Sequence, residues 1–305
     1  MGSASVFFPA KLQTARAGIT RGIPSTESDQ FLNGQKCPSC PPRTLLAANQ
    51  NYLFPERYRP DTSAKHPGAK LIRMSTIHFV GGEKGGVGKS VVARLLCQRF
   101  IDRTTPFTAL DADGSHGALL RHYADYTKPI DLEDPTSSDE ILTTAFDQDR
   151  QVVVDLPAQS DRPLTSWFNE AAVLDLARES DVGIFFWHVM DDGKASLSLL
   201  ERLLARYGAN ARYCVVKNHG RGSDFSLFEA SSTAKRAGEL GACILDLPAL
   251  APQAMQKIDK ADASFWAAAN QAEFGGQAFT RMDQQRIKVW LKAANEQLDK
   301  MGAWL

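Results

Sequence analysis

A chain of 305 residues, 43% hydrophobic and 23% charged, has material for a large buried core and the balance of an ordinary globular protein. Its formal net charge is zero, so no global field draws it to nucleic acid or to a membrane surface. No apolar run approaches the roughly 20 residues of a membrane-spanning helix, and the N-terminus lacks the apolar core of a signal peptide, so the cytoplasm is the expected location.

The neutral average hides a split. Residues 1–73 hold ten Lys/Arg against four acids, and the remainder carries the matching acidic excess. Eight of the fifteen prolines also fall there, with no sustained period of 2 or 3.6. This composition predicts an irregular or disordered basic arm ahead of a folded domain over 74–305. The basic excess leaves a nucleic-acid contact open to the arm. Cys37 and Cys40 form a lone CPSC, half the ligands of a closed zinc site.

From Ser75 onward, short apolar runs alternate with amphipathic stretches. Strands are predicted at 76–80, 107–110, 151–155, 182–187, 212–216 and 243–245. Helices are predicted at 89–101, 115–123, 170–178, 193–206, 226–239 and 252–262. That alternation predicts an α/β fold, a doubly wound, mostly parallel sheet with helices on both faces. Cys97, Cys214 and Cys243 fall singly on these elements and read as small buried hydrophobes of a reduced protein.

The stretch 81–90, GGEKGGVGKS, joins the first strand to the first helix. Gly85, Gly86 and Gly88 allow backbone conformations that turn successive N–H groups toward phosphate oxygens, and the helix start adds its positive end. Lys89 is placed to reach terminal phosphates, and the Ser90 hydroxyl to ligate Mg2+. Together Gly85, Gly86, Val87, Gly88, Lys89, Ser90 and Val91 form the predicted nucleotide cradle. Glu83 stands where the plain phosphate-loop pattern has its first glycine.

With Lys84 directly ahead of the glycines, KGGVGKS resembles the deviant Walker A box of the ParA/MinD group of P-loop ATPases. The resemblance implies that Lys84 reaches across a nucleotide-sandwich homodimer to the partner's phosphates, coupling ATP binding to dimerisation.

Ligands of such sheets bind at the carboxyl ends of the strands. The second strand ends in Asp111 and Asp113, two carboxylates spaced to project to one side of an extended segment. By the resemblance, Asp111 supports magnesium through water and Asp113 is the catalytic carboxylate that orients the attacking water. Gly114-Ser115 follow where the family often has Pro-Gln. The apolar run QVVVD delivers Asp155 to the cleft in a Walker B layout, again for the metal's water shell. The strand at 212–216 leads to Asn218, followed by His219-Gly220-Arg221, so the carboxylate that selects guanine in GTPases is missing. The resemblance makes Asn218 an adenine contact, with the Leu247-Pro248 turn closing over the base and ATP favoured over GTP.

His188, Asp191 and Asp192 resemble a metal cluster, but the acids precede a predicted helix and read as complements to its dipole. Residues 280–305 carry Met282, Ile287, Trp290, Leu291, Ala294, Leu298, Met301 and Leu305 on one helical stripe. Core or dimer packing, DNA contact and membrane contact are its three possible uses, the first favoured and membrane binding not expected. The stretches DLPAQSD, WHVMDDGKASLSLLERL and KNHGRGSDFS look like plasmid-borne relatives of the StbB/MobD kind from mobilisation and stability operons. That resemblance implies a dimerising ATPase switch in plasmid partition, stability or mobilisation, working through a DNA-binding adaptor or DNA itself. The alternative is a MinD-like positioning ATPase, or a nucleotide-dependent scaffold that recruits a protein or membrane partner.

Overall fold

The computed structural model describes residues 75–305, apart from 115–116, 147–149 and the side chains of residues 303–304. The expected N-terminal arm, with Cys37 and Cys40, lies outside the described residues, as do the first two residues of the helix predicted at 115–123.

The elements run β1 (Thr76–Gly81), α1 (Lys89–Asp102), β2 (Phe107–Asp111), α2 (Ala118–His122), β3 (Thr127–Pro129), α3 (Pro135–Phe146), β4 (Gln151–Asp155), α4 (Asp161–Glu170), α5 (Val173–Glu179) and β5 (Gly183–Met190). They continue α6 (Lys194–Tyr207), β6 (Arg212–Asn218), α7 (Ser226–Glu229), α8 (Ser232–Glu239), β7 (Cys243–Leu247), α9 (Pro252–Ala261), α10 (Phe265–Asn270), the hairpin β8 (Glu273–Phe274) and β9 (Gln277–Ala278), and α11 (Arg281–Leu298). A short 3-10 segment, Asp299–Trp304, ends the chain's helical part.

The strands form one seven-stranded sheet in the order β3-β2-β4-β1-β5-β6-β7, and every neighbouring pair is parallel. Strands buried on both faces read as continuous apolar runs, as TIHFVG, QVVVD and GIFFWHVM do. One face packs on α1, α9, α10 and α11. The other packs on α3, α4, α5, α6 and α8. This is the doubly wound architecture expected from the sequence.

A polar exception in the central strand is fully satisfied. His78 is completely buried, accepts from Trp187 Nε1 at Nδ1 (3.1 Å) and meets Gln151 Oε1 through Nε2 (2.7 Å). Burial pushes its pKa down to about 4, so the ring stays neutral and its single N–H matches the one acceptor offered.

Six elements escaped the periodicity reading, two of them the two-residue strands β8 and β9. Strand β3 is the exposed edge, TKP, too short and polar to signal itself. Helices α3 and α4 are interrupted by polar residues, and α10, FWAAAN, is too short to show a period. The helix predicted over 226–239 is two, broken before Ser231, whose side chain accepts from Ala234 N (3.0 Å) and starts α8.

The last long helix settles among its three uses. A capping box between Thr280 and Asp283 starts α11. Ile287, Trp290, Ala294 and Leu298 are buried against the chain's own core, while Met282 is exposed and leaves the stripe. Trp290 Nε1 donates to Pro248 O (2.7 Å), and Arg99 pairs with Asp299 (2.9 Å). Core packing takes this face, and among the described residues no helix is long and apolar enough to cross a membrane.

Candidate nucleotide-binding site

Strand β1 lies at the centre of the sheet and delivers the loop 82–88 to its carboxyl end. Two glycines there have no substitute. Gly82 has φ +142°, and a Cβ on it would stand 2.7 Å from Val189 O; Gly88 has φ +99°, and its Cβ would stand 2.3 Å from Asn218 Nδ2. Gly86 also has positive φ, but Gly85, grouped with it on sequence, does not. No side chain caps α1, and its first turn holds no acid, so that end retains its affinity for anions.

The atom that crowds Gly88 explains Asn218. Its Nδ2 donates to Val87 O (2.7 Å) and its Oδ1 accepts from Gly220 N (3.0 Å). Through these bonds Asn218, the expected adenine contact, braces the phosphate loop against the end of β6. Pro248 stands one residue past Leu247, the register partner of Asn218, so the two remain neighbours at the strand ends.

The acids divide into two kinds. Asp155 at the end of β4 is fully buried, and neither carboxylate oxygen has a hydrogen-bond partner. Burial pushes its pKa up to about 7; the facing Ser90 hydroxyl opposes, Asp111 adds, and Lys89 and Arg94 oppose. Lys89 is itself buried and donates to Lys84 O (3.2 Å). Desolvation lowers its pKa, and the fields of Asp155, Glu83 and Asp113 offset this.

Asp111, in register with Asp155 on the neighbouring strand, is differently placed. Its Oδ2 accepts from Leu119 N (2.8 Å) and Leu120 N (3.1 Å), and its Oδ1 from Asp113 N (3.1 Å). The oxygens of Asp111, the residue expected in the metal's water shell, hold the first turn of α2 and the backbone of Asp113. A carboxylate two residues before a backbone N–H readily closes such a turn. Asp113 is half-buried, and its field reaches Lys89.

A buried carboxylate with no partner, a hydroxyl facing it and a lysine beside it fit a small hard cation that completes its shell with water and phosphate oxygens. Among the described residues no group of three or more His, Cys, Asp or Glu could hold a metal by itself. Residues His188, Asp191 and Asp192 accordingly form no such cluster: His188 is buried and meets Ser196 O (3.0 Å).

No known family profile matches the chain. Among curated proteins it is similar to protein TraL of Escherichia coli, 26% identical over 243 residues that cover 74% of this chain and 98% of that one. It is also similar to protein MobD of Acidithiobacillus ferrooxidans, 25% identical over 219 residues, 70% of this chain and 96% of that one. Solved structures that match include the MinD cell division protein of Aquifex aeolicus, 14% identical, TM-score 0.43, covering 73% of this chain and 97% of that one. Another is the septum site-determining protein MinD of Pyrococcus horikoshii complexed with Mg-ADP, 16% identical, TM-score 0.44, covering 75% and 97%. The parallel seven-stranded sheet, with its glycine-rich loop between β1 and α1, is the α/β fold expected from the sequence.

Within this site, two residues carry contacts that the sequence reading missed. Asp191, read as a complement to a helix dipole, pairs with the Lys84 ammonium through Oδ2. Its Oδ1 accepts from Gly193 N (3.1 Å) and Ser196 Oγ (2.6 Å), so the carboxylate is fixed by the start of α6 before it meets the lysine. Glu83 sits at the start of α4, accepting from Ser160 Oγ (3.4 Å), and burial followed by the nearby Asp161 charge raises its pKa. Only the odd glutamate in place of the loop's first glycine marked that position in the sequence. Nothing local in the sequence marks Asp191 as a partner of a residue 107 positions away.

Proposed function

We propose that the protein is an ATP- and Mg2+-dependent switch that dimerises across bound nucleotide and is reset by hydrolysis of ATP to ADP and phosphate. Asp155 carries this reading: a fully buried carboxylate with two unpartnered oxygens is costly unless a cation is bound beside it. Ser90 and Asp155 would hold Mg2+, which supplies charge neutralisation at the β- and γ-phosphates.

The remaining roles fall to this chain's own groups. The loop N–H groups of Gly85, Gly86, Val87, Gly88, Lys89, Ser90 and Val91 cradle the phosphates, and Lys89 neutralises their charge in cis. Asp113 orients the attacking water and takes up its proton, while Asp111 holds the Asp113 backbone in place. Lys84 stabilises the phosphates of the partner subunit's nucleotide once it leaves Asp191. Pro248 borders the base, and Asn218 acts through the loop it braces.

The work served is plasmid partition, stability or mobilisation, through a DNA-binding adaptor or DNA itself. Near full-length similarity to protein MobD supports that assignment over other uses of the fold. The test is steady-state ATP hydrolysis by the full chain with and without plasmid DNA, beside Asp113→Asn. Turnover that falls at least about 100-fold in the variant, with nucleotide binding retained, is the expected result. Nucleotide binding with no turnover in either condition would overturn the switch and leave a nucleotide-dependent scaffold.

A further inference from the structure

Two of the three cysteines on described residues are neighbours across the sheet. Cys214 on β6 and Cys243 on β7 are register partners. Adjacent parallel strands run about 4.8 Å apart, inside the roughly 4.4–6.8 Å Cα window that a disulfide needs. Register partners project to the same face, and both cysteines pack on the core cluster beneath α11. All three thiols are free.

The environments of the two sulfurs differ in a useful way. Cys214 is fully buried, and burial raises its thiol pKa well above the ordinary value. Cys243 lies half-buried on the edge strand. A hydrogen bond from Cys214 lowers the Cys243 pKa to about 7, against its own burial and with help from the Lys300 ammonium. A half-buried thiol with thiolate character beside a protonated, fully buried one is the pairing of an attacking and a resolving thiol. Cys97, buried on α1 and far from thiolate character, lacks both features.

We propose that Cys243 and Cys214 form a peroxide-oxidised dithiol whose disulfide clamps the edge strand β7 to β6. In the first step the Cys243 thiolate attacks a hydroperoxide: an S–O bond forms and the O–O bond breaks. Sulfur is oxidised by two electrons to sulfenic acid, and the peroxide leaves, with a proton, as water or an alcohol. In the second step the Cys214 sulfur attacks Cys243: the S–S bond forms, the S–O bond breaks, and hydroxide leaves with the Cys214 proton as water. The clamp lies four residues before Asn218, so it stiffens the strand that carries the brace of the phosphate loop. Edge strand β7 otherwise depends on β6 and on contacts to α11 such as Asp246 N to Gln297 Oε1 (3.2 Å).

The experiment treats the full chain with hydrogen peroxide, blocks free thiols and maps tryptic peptides without reduction. The expected product joins peptide 213–217 to peptide 237–257, and it is absent from Cys243→Ser and Cys214→Ala. In Cys214→Ala, with folding checked by circular dichroism, dimedone should trap Cys243 as sulfenic acid. Its conversion to sulfinic acid should run about tenfold faster than in the wild type. Three results would overturn the proposal: Cys243 joined to Cys37, Cys40 or Cys97 instead; Cys243 unmodified at doses that oxidise Cys37 and Cys40; or equal over-oxidation with and without Cys214.

Discussion

Lys84 turns inward along its own chain and pairs with Asp191, at the turn between β5 and α6. The same carboxylate is anchored by Gly193 N and Ser196 Oγ, so the lysine meets an acceptor that is already fixed. A lysine that must act on a partner subunit has to leave this acceptor first. The Lys84 side chain is 38% exposed, which limits the pair to about 1 kcal/mol or less. Asp191→Asn should therefore raise the ATP-dependent dimer fraction, tightening dimerisation by roughly two- to fivefold. Lys84→Ala should abolish the nucleotide-dependent part. Sedimentation velocity with and without ATP reads both; a weaker dimer in Asp191→Asn would mean that the acid serves dimerisation rather than restraining it.

Asp155 makes a prediction about pH in the absence of nucleotide. Its pKa is about 7 in the folded chain against 3.8 ordinarily, so the folded state binds the proton more tightly than the unfolded one. The stability it contributes is fully present below about pH 4 and is lost as pH rises through 7. Asp155→Asn removes that loss, so the variant should gain over the wild type from pH 4 to 7 and level off above. The gain is bounded by roughly 4 kcal/mol. Urea melts at several pH values measure it. Mg2+ and nucleotide should stabilise the wild type and not the variant, and a pH-independent difference between the two would refute the buried-charge account.

Gly88 and Asn218 are coupled by contact and should behave non-additively. Gly88→Ala places a Cβ 2.3 Å from Asn218 Nδ2 and forces a side chain into φ +99°. Asn218→Ala removes the obstacle but leaves the Val87 carbonyl without its donor, at a cost of about 1–3 kcal/mol. In a double-mutant cycle the cost of Gly88→Ala should shrink by about 1 kcal/mol or more in the Asn218→Ala background, the left-handed strain remaining. Strict additivity in denaturant melts would show that the close approach relaxes elsewhere.

The order of motifs along the chain was legible because each sits at the end of a buried apolar strand. KGGVGKS, Asp155 and Asn218 all emerge where a run of β-branched and aromatic residues stops, and the parallel sheet gathers those ends. What the sequence hid is the direction in which each side chain spends its hydrogen bonds. Asp111 and Asp155 look alike on paper, yet one accepts from three backbone N–H groups and the other is left bare. Asn218 reads on sequence as a base contact, and its bond to Val87 O, which makes it a brace, is visible only in the fold. Asp191 and Cys243 acquire their partners through strand order, which no local pattern encodes.

The C-terminal helix offers a test of packing against surface use. Trp290 is nearly buried, its ring lies 5.0 Å from Phe265, and its Nε1 donates to Pro248 O beside the end of β7. If the apolar stripe belongs to the core, Trp290→Ala should cost about 3–5 kcal/mol. At about 2–4 °C per kcal/mol for a domain of this size, Tm should fall by roughly 10 °C. Trp290→Phe keeps most of the buried ring and loses the indole donor, so it should cost about 1–2 kcal/mol. Val289→Asp, on the 59% exposed side of the same turn, should stay within about 0.5 kcal/mol of the wild type. A face used on DNA or lipid would reverse this ranking in thermal melts, because the exposed position would then gain importance only with the partner present. A Tm for Trp290→Ala within 2 °C of the wild type, taken as roughly the shift from 1 kcal/mol, would remove α11 from the core.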